Sequence, residues 1–148
     1  MSIQVKVSDH IIRPVEDVFN AIVDSTQITK YFVSDASDSI SEGKKLEWEF
    51  KDYNVKLEVE VLKVIKNEQI TFNWKASGEK AKVSISLNSE EANKTKITIT
   101  EDSFEANEDG IEKALQQTQG WTDFICSLKA YLYTGINLRN GKMNNSII

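Results

Sequence analysis

A long amphipathic helix placed after a run of alternating segments constrains this chain most. Between Ile111 and Leu132 the large residues fall at Ile111, Leu115, Trp121, Ile125, Leu128 and Leu132, with Ala114, Thr118 and Phe124 between them. That spacing predicts one helix over about 107–133 with a wide apolar stripe. The segments before it alternate apolar and polar residues, as strands do when a sheet is buried on one face. One helix therefore covers one curved antiparallel sheet. A helix is narrower than such a sheet, which leaves part of the inner face uncovered as a candidate pocket.

The strands are read from their phase. Ile3, Val5, Val7 and Ile11 mark the first. Two short helices follow, one from Pro14 with Val15, Val18, Phe19 and Ile22, the other over 26–32 with Ile28, Tyr31 and Phe32 on one side. The Ser-, Asp- and Gly-rich stretch from Asp35 to Gly43 predicts an exposed loop. Five strands come next, marked by Leu46/Trp48/Phe50, Val55/Leu57/Val59/Val61, Ile70/Phe72/Trp74, Ala81/Val83/Ile85/Leu87 and Thr95/Ile97/Ile99. At Leu62 and Val64 the phase slips, which predicts a bulge. The short connections predict a meander. The fold class is α+β: about six antiparallel strands around a long C-terminal helix, with two short helices after the first strand. Residues 1–139 are expected to form a single domain, and the polar, Asn-rich 140–148 to fray.

Composition narrows the function classes. The net charge is -5, and Arg13 and Arg139 are the only arginines, which argues against nucleic acid as a partner. One cysteine, Cys126, allows no internal disulfide and is expected to be a small buried residue. With a single His10 beside it, no zinc site of the usual His/Cys kind can be assembled. No apolar run approaches the ~20 residues of a membrane span, and the N-terminal segment has no signal-peptide core, so a cytoplasmic location is expected. No phosphate-binding or dinucleotide fingerprint occurs, and no cofactor or metal is expected.

Four stretches carry a resemblance to a known family. They are Ile11-Ile12-Arg13-Pro14-Val15-Glu16-Asp17-Val18-Phe19; Gln27-Ile28-Thr29-Lys30-Tyr31-Phe32; Asn67-Glu68-Gln69-Ile70-Thr71-Phe72-Asn73-Trp74 with its later partner Thr95-Lys96-Ile97-Thr98-Ile99-Thr100-Glu101; and Gly120-Trp121-Thr122-Asp123-Phe124 running on to Leu128-Lys129-Ala130-Tyr131-Leu132. In order and spacing they resemble the START-like, or Bet v 1-like, superfamily, and within it the Hsp90-ATPase-activator-like family. The resemblance implies a helix-grip fold with a cavity between long helix and sheet, in a superfamily whose members bind lipids, steroids and other apolar molecules and include some enzymes.

The candidate ligand-binding residues are the inward positions Phe32, Trp48, Phe50, Phe72, Trp74, Ile85, Ile99, Glu101, Thr118 and Trp121. For the three tryptophans, core packing and an aromatic lining for an apolar ligand are both adequate accounts. Glu101 keeps the phase of Ile97 and Ile99 and is expected inside, with helix N–H groups as its favoured partner and a side chain such as Lys113 or Gln117, or a bound ligand, as the others. Asp9 keeps the phase of Val5 and Val7, and with Glu101 forms the one internal acid pair that could be nominated for chemistry. No catalytic residue is assigned. Gly120 in mid-helix implies either a close packing contact or a gap beside Trp121. The reading is a ligand-binding domain without catalysis. A chaperone-related interaction module is the alternative, and an enzyme of the cyclase or hydrolase kind comes third.

Overall fold

The computed structural model describes residues 1–140; the tail expected to fray lies, apart from Asn140, outside the described residues. The elements run β1 (Ser2–Ile11), α1 (Val15–Val23), α2 (Ser25–Ile28), β2 (Asp35–Ala36), β3 (Lys45–Phe50), β4 (Val55–Ile65), β5 (Gln69–Trp74), β6 (Ala81–Glu91), β7 (Lys94–Glu105) and α3 (Glu108–Thr134). The strands form one antiparallel sheet in the order β1-β7-β6-β5-β4-β3-β2. Strands β3 to β7 are the expected meander. β1 returns to the far edge and pairs with β7, Val5 opposite Glu101 and Val7 opposite Ile99.

The sheet has seven strands, one more than its alternating segments predict. The extra strand lies in the stretch read as an exposed loop, where Asp35 and Ala36 pair with Glu49 and Trp48. Two residues are too few to show a period, so backbone pairing rather than pattern makes this strand. Ile40 of the same stretch is buried in the core. The bulge in β4 is present, with the register to β5 shifting between Val61 and Lys63.

The long helix begins where Asn107 accepts a hydrogen bond from the Gly110 N–H (2.8 Å) and ends at Gly135, which is left-handed at φ 76°. Its buried face runs through Ala114, Trp121, Phe124, Ile125 and Leu128 against the inner face of the sheet, where Ile97, Ile99, Phe72, Val83 and Ile85 are buried. The stripe is narrower than expected. Ile111 and Leu115 stay 47% and 66% exposed, because they sit on the flank of the helix that turns away from the sheet. Cys126 is exposed, contrary to expectation, since it lies about a quarter-turn beyond Ile125 and leaves the buried stripe. Gly110 meets a tighter constraint: a Cβ there would stand 1.8 Å from the backbone oxygen of Glu105. The close approach of helix start to strand end thus requires glycine.

Two substitutions test this packing in denaturant melts. Leu128→Ala is expected to lower stability by ~2–5 kcal/mol, as buried leucines do when truncated. Gly110→Ala is expected to lower it by ~1–3 kcal/mol, because the atom it meets is backbone and cannot swing aside.

Candidate functional site

The helix covers the sheet unevenly, and the cavity follows from that. On β4, Val59 and Val61 are buried, but Val55 on the same face is 38% exposed and Leu57 half-buried. The β3–β4 hairpin therefore reaches past the helix. Between it and the middle of α3 lies an open cavity of about 890 Å³. Phe32, Phe50, Leu57, Trp74 and Trp121 supply its apolar walls, and Gln117, Gly120 and Cys126 its helix side. A Cβ on Gly120 would touch nothing within 4 Å, so this glycine marks a gap rather than a close contact.

Aromatic rings form the floor. Trp74 and Trp121 have centroids 5.3 Å apart with planes tilted by 32°. Phe32 packs against Phe50 at 5.2 Å and against Trp121 at 6.1 Å. Directly behind the two indoles lies Glu101, 0% exposed. Its Oε1 accepts from Trp121 Nε1 (2.8 Å), its Oε2 from Trp74 Nε1 (3.0 Å), and the Gln117 amide donates to both oxygens (3.0 and 3.3 Å). Every partner is an N–H donor, which suits an acceptor-only carboxylate. Glu101 is thus inside as its phase predicts, but side chains of strand and helix hold it, not the helix N-terminus. The reason is position: Glu101 packs beside the middle turns of α3, not its first turn, whose Gly110 N–H is already bonded to Asn107.

The proposed acid pair does not form. Asp9 lies opposite Ile97, four residues along β1 from the residue facing Glu101, and its carboxylate pairs with Lys129 at 3.2 Å. Burial raises its pKa, but the His10 backbone N–H and Lys129 outweigh this and hold it below the usual carboxylate value.

Of the ten residues singled out by sequence, Phe32, Phe50, Trp74 and Trp121 line the cavity, and Glu101 stands one side chain behind it. Trp48, Phe72, Ile85 and Ile99 are core residues away from its walls. Thr118 is also off the walls, its hydroxyl donating to the Ala114 carbonyl at 2.7 Å. Sequence reasoning missed the hairpin residues Tyr53, Val55 and Leu57 as walls, although the strand phase of Val55 and Leu57 pointed them inward. It also missed Arg139. This guanidinium, 12% exposed, crosses one end of the cavity to pair with Asp52 and with Asp123 (3.2 Å), over the rings of Phe50 (5.9 Å) and Tyr53 (5.7 Å). That it is one of only two arginines was the available signal.

Glu101→Gln is expected to keep the fold and lower stability by ~1–3 kcal/mol, because an amide sets one N–H against another. Paired with Trp121→Phe in a double-mutant cycle, it is expected to show a coupling of ~0.5–3 kcal/mol. Additive losses in denaturant melts would mean that the bond from indole to carboxylate contributes nothing.

Comparison with known proteins agrees with this architecture. Protein SSP2350 of Staphylococcus saprophyticus has the same fold, with a TM-score of 0.80 at 27% identity over 93% of this chain and 96% of that one. The Aha1 protein of Colwellia psychrerythraea, solved as a dimer, is similar at a TM-score of 0.77 and 20% identity, over 90% of this chain and 98% of its own. An Hsp90 activator of Plasmodium falciparum is similar at 0.69 and 22% identity, over 87% and 95%. No curated protein matches the sequence. The family model for activator of Hsp90 ATPase homolog 1-like protein matches residues 13–133, nearly the whole span from the end of β1 through α3, and this chain belongs to that family.

Proposed function

We propose that the protein holds a small apolar or amphipathic ligand in the cavity between α3 and the β3–β4 hairpin, without changing it chemically. The observation that carries this reading is the uncovered end of the sheet. Inner-face residues that a fully closed core would bury instead wall a space of about 890 Å³, floored by aromatic rings. That volume lies within the ~300–1,000 Å³ of small-molecule sites, which are likewise mostly apolar with a few placed polar groups. Binding is favoured over catalysis because both oxygens of Glu101 are occupied by N–H donors, and because Asp123 and Arg139 at the mouth hold each other.

Gly120 offers a test that leaves the core intact. Gly120→Ala is expected to stabilise the helix by ~0.5–1 kcal/mol, since the site is exposed and open. Gly120→Phe is expected to fill the cavity instead. An uncharged hydrophobic dye should change the tryptophan fluorescence of the native protein saturably, and the Phe variant should lose this response while remaining folded. A response that survives Gly120→Phe unchanged would place the dye elsewhere.

Family membership favours a second reading, contact with an Hsp90-type chaperone. On that reading, adding the protein raises the chaperone's ATPase rate, and Gly120→Phe, which fills a cavity this contact does not use, leaves that rise unaltered. An unchanged rate together with no complex in a pull-down removes it.

A further inference from the structure

The charge around the cavity selects among the ligands that its shape admits. Among the described residues, the charged side chains on its walls are Asp123 and Arg139. Asp52 joins them at the mouth through its pair with Arg139, and Glu101 lies behind Trp74 and Trp121 on the floor. Among the described residues, three carboxylates thus stand around the space with one guanidinium. The guanidinium is paired with Asp52 and Asp123, and these two carboxylates offset its pull on an anionic headgroup. Glu101 has N–H donors on both oxygens but makes no ion pair among the described residues, so its charge is spread over dipoles and not cancelled. Those dipoles belong to the two indoles of the floor. Hydrogen bonding to an anion leaves an indole ring more electron-rich, and such a ring attracts a cation. The mouth already shows what this surface accepts, since Arg139 lies over the rings of Phe50 and Tyr53.

Resting on the reading of this cavity as a ligand site, we propose that its ligand is a cation: an apolar molecule bearing an amine or quaternary ammonium group, with the apolar body against Phe32, Leu57 and Trp121. Fatty-acid-like anions are selected against.

Three probes that share a dodecyl chain isolate the charge: dodecyltrimethylammonium, dodecanol and dodecanoate, titrated below their micelle concentrations at neutral pH and low salt. Tryptophan fluorescence and calorimetry report binding. The ammonium is expected to bind about tenfold or more tighter than the carboxylate, with the alcohol between them, and added salt should narrow the gap. Glu101→Gln should cut the preference for the cation, read as the ratio of ammonium to dodecanol affinity in the same variant, so that any general loss of binding cancels. Asp123→Asn, in the half-exposed turn of the helix, should move the preference the same way and serves if Glu101→Gln does not fold. Dodecanoate binding as tightly as the ammonium, or a preference untouched by both variants, would overturn the assignment of a cation while leaving the cavity a ligand site. No saturable binding by any of the three would remove the ligand site itself, and the cation with it.

Discussion

The carboxylate of Glu101 ties the structure together. A charge taken out of water without a counter-ion is tolerated only where donors replace its hydration. Here the donors come from β5 through Trp74 and from α3 through Trp121 and Gln117, while Glu101 itself stands on β7. One buried group therefore fixes how far the helix slides along the sheet and how it rotates. Apolar packing alone specifies such a register less sharply, because leucine and isoleucine contacts are not directional. The two indoles, pinned at their N–H edges, become a rigid floor for the cavity.

Much of this fold was legible in the sequence because it is built from period. Strand phase placed Trp74, Ile99 and Glu101 on one inner face, and helical spacing placed Trp121 and Leu128 opposite them. Where the structure departs from those expectations, the cause was not periodic. A strand as short as Asp35–Ala36 has no period to read. The exposure of Cys126 and Leu115 depends on how the helix rolls against the sheet, which long-range bonds such as those to Glu101 decide. The choice between helix N–H groups and side chains as Glu101's partners likewise depends on tertiary placement. So does Arg139, which reaches the cavity from beyond the helix by a turn that no pattern announces.

The cavity is a consequence of unequal lengths. β4 has 11 residues and runs on at its β3 end, where Val55 lies opposite Phe50, beyond the part of the sheet that the helix covers. The helix is closest to the sheet along β1 and β7, at the other edge. One edge is thus covered and the other left open, with Gly120 on the helix side of the opening. An apolar interior normally closes to near-crystalline density. Here the indoles of Trp74 and Trp121, bonded at their N–H groups to Glu101, stand at the floor of the space.

The pairing of β1 with β7 has a further consequence, for the order of events in folding. Ser2 finds its partner in Glu105, at the other end of the meander. Strands β3 to β7 can zip together through neighbouring hairpins as soon as each is made, with little loop-closure entropy to overcome. The first strand made is the one that must wait. Until the last strand of the sheet emerges, β1 has no edge to join, and Val5 and Ile11 have no core to enter. On a ribosome β1 stays unpaired until β7 has emerged, a period in which an unpaired strand is open to chaperones and to other chains.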